Sequence, residues 1–349
     1  MPTPPRTSRW RFLRRALRWC RFGLFFLVLA LLLALLYVTR VGLPGFCKGP
    51  LLSELRRRGI EFEYQRLAWH WHRGLVAQNA ALRPLADPGG LRARAAEVVL
   101  DPHWGRLMRS RQVELESLRI LDGHLSASLQ EPGQTPDNFS IEGVGAAIRF
   151  LPGDTCEIEN LEASFLGATL QVSGVITNAH DLIAWLRSVD KQERPDPTPP
   201  WRAPLRRVVE FRKGLRLAGV PEFRLRFRGD ARHPESFAGE FKGKADGAES
   251  PQFKVQDLRC SIELGTNQSQ PLARAWRLVA RTEAAAAGGS WGSLRHVEFG
   301  ARMDLQPTNP IPARVDWEAV AREAQAPWAS FERVRLAGHS ERLGANARE

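Results

Sequence analysis

His70 and His72 are the two side chains whose spacing comes closest to that of a metal site. Residues two apart on a β-strand lie on the same face, so the two imidazoles would point in the same direction. No third ligand stands at a suitable spacing, and we expect no metal. Asp101 and His103 are of the types used in acid–base chemistry, but no nucleophile lies near them in the sequence. Asp101-Pro102 is more typical of a turn.

The remaining sequence carries no catalytic signature. No glycine-rich nucleotide loop, GxSxG elbow or HExxH motif occurs. Cys20 precedes a long apolar run, while Cys47, Cys156 and Cys260 follow it, and whether one disulfide forms among those three is left open. No CxxC pair or Cys/His metal spacing is present. We therefore predict a protein that is not an enzyme and uses no cofactor.

Apolar–polar alternation with a period of two residues is the dominant pattern of the chain. In the segment EFRLRFR, Phe223, Leu225 and Phe227 face one side, and the other side carries arginines that either contact lipid headgroups or are solvated: Arg224, Arg226 and Arg228. Such apolar faces can form a non-catalytic site that removes acyl chains from water at about 0.8 kcal/mol per methylene. The candidate lining residues are Ile141, Ile148, Ile158, Leu170, Val172, Phe223, Leu225, Phe227, Phe237 and Phe241.

The elements that would position these residues are mostly strands. Alternation predicts strands over 75–82, 93–100, 113–120, 124–129, 139–150, 155–165, 169–176, 222–228, 236–244, 252–264, 275–283, 294–305 and 334–336. Asp122-Gly123 predicts a hairpin turn between two of them. Short helices are predicted over 51–58, 102–109, 181–187, 205–217 and 317–324.

Residues 22–39 form an uncharged, leucine-rich run that is long enough to cross a membrane as a helix. No acidic residue precedes it, and seven arginines do: Arg6, Arg9, Arg11, Arg14, Arg15, Arg18 and Arg21. The positive-inside rule then predicts a cytoplasmic N-terminus and an exported bulk, in the inner membrane of a cell envelope. A cleaved signal peptide is the alternative, but the apolar run is long for one and no small-x-small site follows it.

The formal net charge of +12 does not indicate a nucleic-acid binder. The seven tail arginines account for +7, and in the remainder 43 basic residues face 38 acidic ones. That mixed-sign surface disfavours nucleic acid as a partner. The basic tail is better explained by topology and by attraction to anionic lipids of the inner leaflet.

The chain divides into five regions. We predict a basic cytoplasmic tail at 1–21, a transmembrane helix at 22–39, a β-rich region at 40–180, a helical segment at 181–218 and a second β-rich region at 219–349. The proline-rich stretch 190–200 is predicted to be an exposed loop, either a plain connector or a site that recruits an envelope protein partner. The second β-rich region lacks a clear end.

A long alternating sheet must bury its apolar face by packing, closing or curling around a ligand. Few helical segments are available to cover it, which is a hint of a lipid-lined groove. From the residues alone, an ordinary sandwich or a sheet capped by the short helices is the favoured interpretation.

Two stretches, residues 42–82 and 96–129, resemble the start of an AsmA-like protein, of the group of envelope proteins that includes TamB and YhdP. The pieces that carry the resemblance are the helix at 51–58 after the membrane span, the strand RGLVAQNAALR at 73–83 and the step DPHWGRLMRSRQVELESLRILDG at 101–123. The likeness extends over about residues 20–180.

The resemblance implies a single-pass inner-membrane protein whose mainly β periplasmic part is a long, antiparallel, curled sheet shaped like a groove. Its implied role is lipid handling in outer-membrane biogenesis, with the bilayer and a phospholipid ligand as partners. The chain is short for a family whose bridging members are much longer, so it would act with partners or differ in function. A membrane-tethered scaffold with a closed sandwich that binds proteins is the alternative.

Overall fold

The computed structural model describes residues 21–22, 24–30, 32–33, 60–70, 73–84, 92–102, 115–129, 137–179, 181, 214, 216–266, 276–306 and 309–341. The described residues between 21 and 33 are helical, and their large apolar side chains are exposed, for example Phe26 at 64% and Leu27 at 65%. Among the described residues, none of the helices has both the length and the apolar character needed to span a bilayer.

Sixteen strands make up nearly all of the rest, which confirms the mainly β prediction. They are β1 (Ile60–Glu63), β2 (Arg66–His70), β3 (Gly74–Pro84), β4 (Arg92–Pro102), β5 (Leu115–Leu129), β6 (Asp137–Leu151), β7 (Thr155–Phe165), β8 (Ala168–Thr177), β9 (Arg216–Ala218), β10 (Glu222–Asp230), β11 (His233–Glu249), β12 (Phe253–Thr266), β13 (Trp276–Gly289), β14 (Gly292–Gln306), β15 (Asn309–Ala326) and β16 (Ala329–Glu341).

The strands form one long sheet that is not closed into a barrel. Its order is β1-β3-β4-β5-β6-β7-β8-β10-β11-β12-β13-β14-β15-β16, with β2 also paired to β3 and β9 also paired to β11. Strands are predicted to be antiparallel throughout, and one pair differs: β8 and β10 are parallel, whereas every other pair is antiparallel. The chain between Thr177 and Glu222 carries the crossover that a parallel pair requires.

The described strands form one sheet rather than two. All of the extensive contacts between strands join hydrogen-bonded neighbours. The buried apolar residues are mostly alanines, and Val76 is the largest side chain that is less than 2% exposed. One cluster of buried residues, Leu67, Ala77 and Ala80, lies near the N-terminal edge of the sheet. Elsewhere Phe139 and Val144 are also buried, and most other large apolar side chains are only partly covered.

Three predicted elements differ from the structure. Asp122-Gly123 is not a hairpin turn, because Leu115–Leu129 is one continuous strand in which Asp122 has a φ of 50°. Residues 317–324 are not a helix but part of β15, since β14 and β16 hydrogen-bond to both of its edges. Of the described residues in the helix predicted over 205–217, Gly214 is in a turn, and Arg216 and Leu217 are in β9. The helices predicted over 51–58, 102–109 and 181–187 fall almost entirely outside the described residues.

A line of left-handed backbone positions crosses β12, β14 and β16 at the same register. Asp257, His296 and Arg333 have φ of 48°, 49° and 54°, and strand pairing keeps its register across each of them. At this line the apolar alternation slips, so that apolar residues lie three apart instead of two, as in Leu294 and Val297. We call this line the crease. Local departures of this kind bend strands and re-aim side chains.

The same slip occurs near the N-terminal edge. Asn79 in β3 has a φ of 48°, and Ala77 and Ala80, which lie on either side of it three residues apart, belong to the same buried cluster. In the paired strands the corresponding position of β5 is Asp122. The slip thus keeps apolar residues on one face of the sheet rather than moving them to the other.

Candidate functional site

All ten candidate lining residues lie on one face of the sheet, which we call the apolar face. Residues that are directly paired across strands share a face. In the centre of the sheet, Leu170 pairs with Phe223, Val172 pairs with Leu225, and Leu225 pairs with Phe241. Phe227 alternates with these residues along β10, and Phe237 contacts Gly229 of the same face.

The N-terminal half contributes to the same face. Ile148 pairs with Ile158, and Ile158 pairs with Gly174 of β8, which in turn pairs with Phe227. Ile141 pairs with Phe165 next to the β7–β8 turn. The register therefore links β6 to β11 through one uninterrupted set of apolar side chains.

The apolar face extends beyond the predicted residues on both sides. Towards the C-terminus it continues through Ile262, Leu278 and Met303 to Trp317, and sequence reasoning missed these residues although the alternation that marks them is as regular as in β10. Towards the N-terminus it includes further residues of β3, β4 and β5: Leu75, Ala77, Val98, Leu100, Leu118 and Ile120.

None of the ten candidate residues is buried, and none is fully exposed; each is partly covered by its neighbours in the sheet. Towards the C-terminal edge the same face becomes more open, with Trp317 at 37%, Phe331 at 46% and Leu336 at 57% exposure. Within the described part of the chain, no second sheet packs on this face. The face is an apolar surface that lacks the second layer of a sandwich.

Aromatic rings lie over glycines on the apolar face. A Cβ atom at Gly174 would stand 2.8 Å from the ring of Phe227, and one at Gly243 would stand 3.1 Å from the ring of Phe223. Phe223 in turn stacks on Phe241, with 5.8 Å between ring centroids. A ring that covers a glycine lies flat against the backbone of the sheet. The apolar surface therefore has few side chains that project far from it.

Cys156 and Cys260 also belong to the apolar face, and both are free thiols. They lie on β7 and β12, four strand spacings or about 19 Å apart, which is too far for a disulfide between them. Cys47 lies outside the described residues. Burial raises the pKa of both thiols above the ordinary value of 9.0, and for Cys156 the nearby Asp154 carboxylate adds to the effect.

Around β10 and β11 the opposite face is polar, whereas near the N-terminal edge it carries three buried apolar residues, Ala68, Val76 and Val99. Arg224, Arg226 and Arg228 lie on the polar part and are exposed, and the Arg224 Nε atom donates a hydrogen bond to Gln171 Oε1 at 3.2 Å. These arginines therefore do not line the apolar surface. Lys242, which forms an ion pair with Glu240, lowers the pKa of that carboxyl by a hydrogen bond. This part of the face has the charge pairing of a solvated sheet surface.

Polar side chains join the two halves of the sheet at the parallel pair, which we call the seam. Asn178 Nδ2 donates to Asp230 Oδ1 at 2.8 Å, and the Arg232 backbone N–H donates to the same oxygen at 2.9 Å. Both bonds lower the pKa of Asp230, the Asn178 bond most. Arg232 Nε donates to Asp181 Oδ2 at 2.6 Å. The end of β8 is thereby tied to the β10–β11 turn.

Of each pair first considered for chemistry, one member lies in the described part of the chain. His70 lies in β2 and Asp101 in β4, while His72 and His103 are outside the described residues. Over the described ranges, no group of three or more His, Cys, Asp or Glu side chains is placed to hold a metal ion. What the described residues do assemble is a continuous surface suited to apolar ligands.

No protein-family model, no curated protein and no solved structure matches this chain. The function is therefore argued from the sheet and its two faces.

Proposed function

We propose that this chain is a non-enzymatic, membrane-anchored protein of the cell envelope whose apolar sheet face shields phospholipid acyl chains. The observation that supports this most is the alignment of all ten candidate residues on one partly covered face. The mechanism is shielding: the sheet replaces the bilayer interior around the acyl chains, while the headgroups stay in water.

The dimensions of the sheet suit this role. The main path contains 14 strands, and 13 spacings of about 4.8 Å give a length of about 62 Å. The hydrocarbon core of a bilayer is about 30 Å thick, so the face is long enough for several acyl chains in succession. Each methylene removed from water contributes about 0.8 kcal/mol, and no directional contact is needed.

The sequence supports the anchor and its topology. Residues 22–39 would form the single membrane span, with the basic tail in the cytoplasm and the sheet in the periplasm. A curled, groove-like sheet and a role in lipid handling for outer-membrane biogenesis complete the proposal. The bilayer and a phospholipid ligand are the proposed partners, and envelope proteins are further candidates.

Site-specific photo-crosslinking of the full chain in cells tests the proposal directly. A benzophenone amino acid at position 225 would lie on the apolar face, and the same group at position 226 would lie on the polar face next to it. We expect phospholipid adducts, identified by mass spectrometry, at position 225 and not at position 226. A chain that forms no lipid adduct at 225, or equal adducts at both positions, contradicts the proposal.

A second experiment separates lipid binding from partner binding. The variant with Phe223, Leu225 and Phe227 all changed to Asp should lose co-extracted phospholipid while its strand content, measured by circular dichroism, is kept. If position 225 instead crosslinks to a protein, the tethered scaffold becomes the better account.

A further inference from the structure

Exposed aromatic side chains mark three successive hairpin tips. Trp291 and Trp328 are turn residues of the β13–β14 and β15–β16 hairpins and are 50% and 80% exposed. Phe331 follows the last turn, is 46% exposed and packs edge-on against Trp328 with 5.9 Å between ring centroids. Phe253, 39% exposed, begins β12 at the β11–β12 turn. We call Phe253, Trp291, Trp328 and Phe331 the aromatic rim.

The rim lies along one end of the strands. The β11–β12, β13–β14 and β15–β16 turns all close the sheet at the same end, because each follows two strands after the previous one. Successive tips are therefore about 10 Å apart. At the opposite end, the one described turn, β10–β11, contains Arg232 and is flanked by Asp230 and His233, and Trp276, which begins β13 there, is only partly exposed. Among the described residues of the C-terminal half, the exposed aromatic tips lie at one end of the strands.

The rim is continuous with the apolar face. Between the crease and the turn, each strand has a short end segment, and we call these segments together the lip: residues 253–256, 286–289, 292–295, 323–326 and 329–332. The lip carries apolar residues such as Val255 and Leu294, which both pair with Ala287 of β13. An apolar ligand on the face can thus reach the rim without crossing the polar surface.

The charges around the rim are balanced. Arg295 is 3.4 Å from Glu323, and Lys254 is 4.0 Å from Glu249. Because these charges are paired, the surface around the rim favours neither an acidic nor a basic protein partner. Tryptophan has an apolar ring and a polar N–H, and it concentrates at the headgroup level of bilayers for that reason. Neutral, tryptophan-tipped hairpins fit the interface of a zwitterionic phospholipid bilayer.

We propose that the aromatic rim inserts into the headgroup region of the bilayer that carries the anchor, and that the lip is the route by which acyl chains enter the apolar face. The choice of membrane rests on the proposed function and on one observation: β1, the first strand after the apolar run, begins at the same end of the sheet as the rim. The anchor and the rim then meet the same surface.

Tryptophan quenching by brominated lipid in proteoliposomes of the full chain tests this proposal. The fluorescence difference between the wild type and the Trp291→Phe/Trp328→Phe variant isolates two of the 11 tryptophans. We expect this difference signal to be quenched when dibromo-phosphatidylcholine replaces ordinary phosphatidylcholine. The matched control is Arg226→Trp added to that variant, because position 226 lies in mid-strand on the polar face, away from both the tips and the acyl-chain surface; the fluorescence that it adds should be quenched much less.

An unquenched tip signal in brominated proteoliposomes overturns the proposal. Quenching that occurs only when brominated vesicles are added to unbrominated proteoliposomes overturns the choice of the anchor's own bilayer. The proposed function is judged separately by the adduct at position 225. A lipid adduct at position 225 without quenching of the tip signal contradicts only the proposed insertion of the rim. Quenching of the tip signal without an adduct supports insertion of the rim and contradicts the proposed acyl-chain site.

Discussion

Glycines determine how low the aromatic rings lie on the apolar face. Gly174, Gly229 and Gly338 each stand beneath an aromatic ring, so that an added methyl group would collide with the ring. At Gly229 the Cβ atom would be 2.6 Å from the ring of Phe237. A glycine has no side chain to bury in the sheet, but it lets the aromatic ring contact the backbone closely.

Replacing Gly229 by Ala should therefore destabilise the protein by about 1–3 kcal/mol, the usual cost of forcing an extra methyl group into a packed site. Gly300→Ala is the matched control, because no atom lies within 4 Å of a Cβ at that position. Its effect should stay within about 0.5 kcal/mol. Urea unfolding followed by circular dichroism measures both, and equal losses would show that the ring over Gly229 is free to move.

The two thiols report on coverage of the apolar face. Since desolvation raises the pKa of Cys156 and Cys260 above 9.0, the thiolate fraction at pH 8 is below about a tenth. Alkylation by iodoacetamide should be slow at neutral pH, should still accelerate above pH 9 and should slow further when phospholipid is present. Mass spectrometry of the labelled peptides measures the rates, with urea-unfolded protein as the reference. Rapid labelling of both thiols at pH 7 would contradict this.

At the scale of the element, alternation was a good guide to strands and a poor guide to what interrupts them. The strand predicted over 155–165 coincides with β7, because its flanking turns contain Gly153 and Gly167 at φ of 82° and 81°. Asp122-Gly123 failed as a hairpin signal, since Asp tolerates the left-handed region within a strand as well as in a turn. Local sequence does not distinguish the two uses.

Two other features lay beyond sequence reasoning. Residues 317–324 are rich in helix-forming Ala, Glu and Arg, and pairing with β14 and β16 overrides that preference. The parallel order of β8 and β10 depends on the path of the chain across the crossover, for which alternation carries no information. The face shared by the ten candidate residues, in contrast, follows from alternation within each strand and from the register between strands.

The crease makes a prediction at the same scale. His296 has a φ of 49°, where a β-branched residue is strained, whereas the adjacent Arg295 has no such φ. His296→Val should lower the free energy of unfolding by about 1–2 kcal/mol, and His296→Gly should be tolerated. Arg295→Val, the matched control, removes only a surface ion pair and should change stability little. Thermal unfolding of the three variants decides whether the left-handed position is needed.

The whole molecule behaves as a row of strands in which each depends on its neighbours. All extensive contacts between described strands are between sheet neighbours, as in repeat proteins, so a local change should propagate only to adjacent strands. The seam is the place where this row depends on a parallel pair and on the side-chain bonds of Asp230. The stability of the junction between the halves should therefore be set locally.

Asp230→Ala should increase amide hydrogen exchange in β8 and β10 and leave β15 and β16 unchanged. Asp316→Ala is the counterpart: His339 and Arg314 hold the pKa of that carboxyl below 3.8, and its loss should loosen β15 and β16 and leave the seam unchanged. Exchange measured by mass spectrometry assigns each effect to its strands. A uniform increase over the sheet in either variant would show that the molecule unfolds as one unit.

The pH dependence of the stability of Asp230→Ala tests whether the charge of Asp230 stabilises the seam. Hydrogen bonds from Asn178 and the Arg232 backbone lower the pKa of Asp230 below its ordinary value of 3.8, so the ionised carboxylate stabilises the fold above that pH. This contribution should be lost as the pH falls below 3.8 through the folded-state pKa, because the carboxyl is then protonated in both states. The difference in Tm between the wild type and Asp230→Ala should accordingly be constant from pH 5 to 7 and shrink in more acidic solution. If the difference in Tm does not change with pH, the ionisation of Asp230 does not contribute to the stability of the seam.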